Sequence, residues 1–131
     1  MKKYALTLDL KNDPQLIEQY KEHHRHVWPE ILESIKASGI LSMEIYHIET
    51  RLFMIIEASD DFSFEKKARM DASNPKVQEW ESLMDTYQQR LSFAKAEEKW
   101  VLMERVFEHN WDGLKQRRTP FNAIWFNLIL I

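Results

Sequence analysis

The chain has 131 residues, with 21 acidic and 18 basic side chains, a formal charge of -3 at neutral pH and no cysteine. That length suits one domain able to bury a core without covalent staples, and the lack of thiols excludes disulfides, cysteine nucleophiles, zinc-thiolate sites and iron-sulfur clusters. The scattered basic residues give no continuous footprint for a phosphate backbone, so nucleic acid is not an expected partner.

In Lys2–Leu10, Tyr4, Leu6, Leu8 and Leu10 point one way while Ala5, Thr7 and Asp9 point the other, the period of a strand and not of a signal-peptide core. Asn12, Asp13 and Pro14 then supply a cap and a first-turn proline, and Leu16, Ile17, Tyr20, His24 and Val27 recur at helical spacing. Pro29 cannot donate to the residue four back, so a break is expected near His26 to Trp28, before Ile31, Leu32 and Ile35 carry the helix on to Gly39. Leu41 to Ile48 and Arg51 to Ala58 form an expected hairpin around Glu49-Thr50, with Tyr46 and Glu44 sharing a face. A helix over Phe62 to Met70 precedes a second, opened by Asn74-Pro75, whose stripe holds Val77, Trp80, Met84 and Tyr87. Lys99 to Phe107 reads as a fourth strand.

The order βα-ββ-αβ defines a ferredoxin-like α+β sandwich over residues 1–108, a four-stranded antiparallel sheet with its helices on one face. Leu52 to Ile56 is apolar on both faces, and one helical layer covers only one of them. A homodimer packing sheet to sheet, of the dimeric α+β barrel type, is therefore expected. An extension over 109–131 ends in an apolar run too short to span a bilayer. Its role stays open between an edge strand, a swapped arm and a dimer contact, and neither membrane attachment nor any compartment but the cytoplasm is expected.

Chemistry concentrates in His23 to Glu30, HHRHVWPE. Histidine gives and takes protons near neutral pH, and His24 follows Tyr20 by one helical turn, so an imidazole and a phenol share a face. His23 and His26 point elsewhere, towards solvent. Positions 23, 24 and 26 lack the i, i+4 spacing of helical metal ligands, so no metal is expected. With glycines only at 39 and 113, there is no phosphate-binding loop and no nucleotide cofactor is expected. Trp80 is either core or a stacking surface for the apolar face of a sugar, and Tyr46 is either a ligand contact or a satisfied tyrosine.

Together YKEHHRHVWPEI, MEIYHIETRLFMIIE, NPKVQEWESLM and KWVLMERVFE resemble the L-rhamnose mutarotase family from about Lys3 to Glu108. The resemblance implies a dimeric ferredoxin-like enzyme, an isomerase that interconverts sugar anomers without a cofactor. It makes His24 the proton donor and Tyr20, Tyr46 and Trp80 sugar contacts. The family's rhamnose site carries a second tryptophan after the first, whereas here Glu81 follows Trp80. A carboxylate accepts bonds from sugar hydroxyls where an indole only stacks or donates, so Glu81 joins the expected contacts. Both L-rhamnose and L-fucose remain as substrates, with L-fucose placed first. Tyr46, Glu81 and a bound water are the alternatives for the catalytic base. Two other readings remain, a haem-binding protein of the dimeric α+β barrel type and a sugar-binding module without catalysis.

Overall fold

The computed structural model describes residues 1–109. The chain runs β1 (Lys2–Leu10), α1 (Pro14–Arg25), α2 (Pro29–Ala37), β2 (Ile40–Ile48), β3 (Arg51–Ala58), α3 (Phe64–Ala72), α4 (Pro75–Asp85), β4 (Gln88–Gln89) and β5 (Val101–Leu102). Each helical connection of the expected sandwich is thus two helices. Proline explains the first division, because Pro29 takes the first turn of α2, where its missing N–H costs nothing. The Asp13 carboxylate caps α1 by accepting from the N–H groups of Gln15 and Leu16, and the Asn74 carbonyl caps α4 in the same way at Lys76 and Val77.

The strands lie in the order β2-β3-β1-β4, with β5 also paired to β1, and every pairing is antiparallel. The α+β, ferredoxin-like expectation holds. Period-two alternation puts Leu6, Leu8 and Leu10 of β1 and Leu52, Met54 and Ile56 of β3 on the helix-facing side, where all six are buried. Tyr20, Ile31, Val77, Trp80 and Met84 close over them. Burying each large apolar side chain contributes about 1.5–3 kcal/mol, so this layer is what seats the helices on the sheet. Gly39 follows the end of α2 with a φ of 96°, and a Cβ there would stand 2.8 Å from the Ser59 hydroxyl, so the turn into β2 requires glycine.

The fourth strand corrects the sequence reading. Its place beside β1 is shared by two short pieces, Gln88–Gln89 against Asp9 and Leu10, and Val101–Leu102 against Thr7 and Leu6, with the intervening chain looping out. Pairing ends with the Met103 N–H donating to the Ala5 carbonyl. Beyond it Val106 and Phe107 are 93% and 77% exposed, since no described helix extends over them to reward a longer ladder. The expectations for the extension concern residues past 109 and lie outside the described residues.

On the sheet face away from the helices, strand register aligns Tyr46, Phe53, Thr7 and Val101 in a row across β2, β3, β1 and β5. Among the described residues no helix is long and apolar enough to cross a membrane.

Candidate active site

The end of α1, the middle of α4 and the start of β4 bring together a group of aromatic and polar side chains. Helical spacing stacks the Tyr20 and His24 rings with centroids 4.2 Å apart. Trp80 and His24 meet in a T-shaped pair with centroids 5.8 Å apart, and Trp80 packs on Trp28 at 5.0 Å. Trp28 sits at the proline break, and so holds the end of α1 against α4. Tyr20 and Trp80 are buried.

The Nδ1–H of His24 donates to the backbone carbonyl of Tyr20 at 2.7 Å. A carbonyl oxygen only accepts, so Nδ1 keeps its proton and Nε2, which is buried, is left as the atom that exchanges one. Burial holds the Tyr20 phenol well above its ordinary pKa, opposed by the Gln88 amide beside it. Its hydroxyl is therefore a neutral donor and acceptor throughout the working pH range.

The Tyr20 hydroxyl, the Trp80 indole nitrogen and both amide atoms of Gln88 are buried without a hydrogen bond of normal geometry to any protein group. More than about nine-tenths of buried polar groups find partners, and each that does not costs about 1–3 kcal/mol. Three such side chains, Tyr20 and Trp80 beside the His24 imidazole and Gln88 beside Tyr20, form the kind of lining that a small polar ligand with several hydroxyls would satisfy.

The four expected contacts do not all converge here. Tyr46 lies on the opposite face of the sheet, 55% exposed, where its hydroxyl donates to the Glu44 carboxylate and its ring faces Phe53 at 6.3 Å. Period two put Tyr46 beside Glu44 correctly, but carries no sign of which face turns to the helices. Glu81 is half-buried on α4, and burial raises its carboxyl pKa. Its charged neighbours are Lys99, Asp85, Asp71 and Arg90, none of which belongs to the His24 group. Lys99 itself is buried and pairs with Asp85 at 2.7 Å.

Sequence reading missed three members. His23, read as facing solvent, shares a hydrogen bond of 3.0 Å with the Tyr87 hydroxyl and lies 6.4 Å from the Trp80 ring. Tyr87 itself follows the end of α4 and its ring lies 6.5 Å from that of Tyr20. Gln88 gave no sequence signal, being one of two glutamines after a helix end. Among the described residues no group of three histidine or carboxylate side chains is placed to hold a metal. A cavity of about 320 Å³ between α2 and the α3–α4 corner is lined by Glu30, Glu33, Asp71, Asn74 and Lys76, among others, and shares no residue with the His24 group.

The fold matches a crystal structure of L-rhamnose mutarotase from Formosa agariphila with a TM-score of 0.63 over 84% of this chain and all of that one, at 22% identity. An L-fucose mutarotase of Xanthomonas campestris pv. campestris is 38% identical over 109 residues, 82% of this chain and 87% of the relative. A UPF0734 protein of Dictyostelium discoideum is 39% identical over 117 residues, 84% of this chain and 91% of its own. An L-rhamnose mutarotase of Bacillus subtilis matches at 38% over 53 residues, 39% of this chain and 51% of the relative. The L-fucose mutarotase relative, matched over most of both chains, defines the class as a sugar mutarotase, an isomerase. Within that class the profile for L-rhamnose mutarotase matches residues 3–109, and the chain belongs to that family.

Proposed function

We propose that the protein interconverts the α and β anomers of a 6-deoxy-L-hexose, L-fucose ahead of L-rhamnose, with His24 as the proton donor. The observation that carries this reading is the His24 ring itself, fixed through Nδ1 by the Tyr20 carbonyl and flanked by Tyr20 and Trp80. The order of sugars rests on Glu81, which stands where the rhamnose pattern has tryptophan, and on the L-fucose mutarotase relative, matched over most of both chains.

In the reaction His24, protonated on both nitrogens, gives the Nε2 proton to the ring oxygen as the bond from that oxygen to the anomeric carbon breaks. The anomeric hydroxyl loses its proton to a base and becomes the aldehyde oxygen. Rotation about the adjacent carbon-carbon bond and reversal of both transfers close the ring as the other anomer. The Tyr20 carbonyl accepts the Nδ1–H and so fixes the tautomer and the orientation of the ring. With Tyr46 across the sheet and Glu81 among other charges, a bound water is the base we propose for this step. One positioned acid-base pair contributes about 10²–10⁴-fold, enough for a reaction already facile in water. Trp80 offers its ring to the C–H face of the sugar and its N–H to a hydroxyl.

The protein acts as a homodimer packed through the sheet faces that carry Phe53 and Ile55, with the exposed Val106 and Phe107 segment as a further contact. No observation favours the haem-binding reading or the binder without catalysis. The test is kcat/KM for anomer exchange on both sugars: a higher value for L-fucose supports the reading, and a higher value for L-rhamnose reverses the order of substrates.

A further inference from the structure

We propose that the Gln88 carboxamide binds a vicinal pair of ring hydroxyls of the sugar and sets which 6-deoxy-L-hexose the site prefers. The inference rests on the mutarotase reading. Register places Gln88 opposite Leu10, whose side chain faces the helices, so the Gln88 side chain is directed into the layer that holds Tyr20. There it is 7% exposed, with its nitrogen and its oxygen both buried, neither in a hydrogen bond of normal geometry, and with the Tyr20 hydroxyl as its polar neighbour. A structural glutamine looks different in this chain: Gln78 donates to the Asp71 carbonyl at 2.8 Å and ties α4 to the end of α3. An amide and a phenol buried side by side, neither with a hydrogen bond of normal geometry, make an arrangement that a ligand from outside the chain completes.

A carboxamide presents an acceptor and a donor side by side, which matches two adjacent hydroxyls, each able to give and to accept. Apart from the anomeric position, a 6-deoxyhexopyranose offers two such pairs, at C2–C3 and at C3–C4. L-fucose and L-rhamnose differ in configuration at C2 and at C4. Whichever pair Gln88 takes therefore includes a centre at which the two sugars differ. Hydrogen bonding by a buried amide rejects a misplaced hydroxyl more strongly than an apolar wall does, since the mismatch leaves polar groups unpaired.

The test compares wild type, Gln88→Met and Gln88→Glu by anomer-exchange kinetics on L-fucose and L-rhamnose, with melting of the sugar-free proteins. The expected result is that Gln88→Met narrows the ratio of kcat/KM between the sugars about tenfold, mainly through KM. Its sugar-free melting temperature does not fall, because a buried amide without a hydrogen bond of normal geometry has been removed. Gln88→Glu loses the donor and keeps the acceptors, and shifts the preference without abolishing exchange. An unchanged ratio in an active Gln88→Met protein overturns the inference, as does a wild type indifferent to the two sugars. If wild type accelerates neither sugar, the mutarotase reading fails by itself. Calorimetric titration of the same sugars then decides on Gln88: weaker binding by Gln88→Met supports the assignment, and equal binding or none overturns it.

Discussion

His24 and Tyr20 are joined twice, by ring stacking at 4.2 Å and by the 2.7 Å hydrogen bond from Nδ1–H of His24 to the Tyr20 carbonyl. One helical turn supplies both contacts, because residues four apart lie one above the other. The hydrogen bond fixes the tautomer, with the proton on Nδ1 in the neutral form. In long-range nitrogen-proton NMR spectra of the neutral form, the His24 Nδ1 is expected to carry the proton. A signal pattern with the proton on Nε2 would contradict this orientation of the ring.

Lys67 and Asp71 form an ion pair of 2.7 Å between α3 side chains that are 1% and 3% exposed. Removing one partner leaves the other charge buried alone, so Lys67→Ala is expected to cost about 3–5 kcal/mol in urea unfolding. Lys67→Met with Asp71→Leu replaces the pair by apolar groups of similar volume and is expected to recover most of that loss. Equal destabilisation in the single and double variants would show that packing, not charge, holds this corner.

Glu81 titrates above the ordinary carboxylate range, chiefly through burial. Between its unfolded value, about 4.3, and the raised folded value, the folded protein keeps a proton that the unfolded chain releases. Stability therefore falls as pH rises through that window. Glu81→Gln removes the titration, so its melting temperature should exceed that of wild type at pH 7, with the advantage fading as pH drops below the unfolded value. An advantage that persists undiminished at pH 3 would assign it to something other than the carboxylate.

Phe53 stands in the middle of the row that crosses the open sheet face, between Tyr46 and Thr7. A charge there would be buried by the proposed sheet-to-sheet association, so wild type is expected to scatter light as a dimer and Phe53→Glu as a monomer. A wild-type protein that scatters as a monomer at micromolar concentration would remove the dimer from the account.

The strands and helix starts were readable because their causes are local. Asp13-Pro14 and Asn74-Pro75 cap helices, Pro29 breaks one, and Leu6, Leu8 and Leu10 alternate as β1 requires. The fourth strand was not, because Val106 and Phe107 have strand propensity but no layer to pack on, and tertiary cover decides how far a ladder runs. Within the site, Tyr20, His24 and Trp80 could be grouped by helical spacing and family resemblance. Tyr46 illustrates the limit of pattern: its parity with Glu44 was right, yet parity does not say which side of a sheet the helices cover. His23 and Gln88 depend on where α1 and β4 meet in space, which no local spacing records.

In the proposed reaction His24 moves the proton that opens the ring. NMR saturation transfer on L-fucose and L-rhamnose, with wild type and a folded His24→Ala variant at matched concentration, tests it most directly. Exchange between anomers that is faster than in buffer with wild type, and returns to the buffer rate with His24→Ala, is the predicted result. Exchange as fast with His24→Ala as with wild type would contradict it.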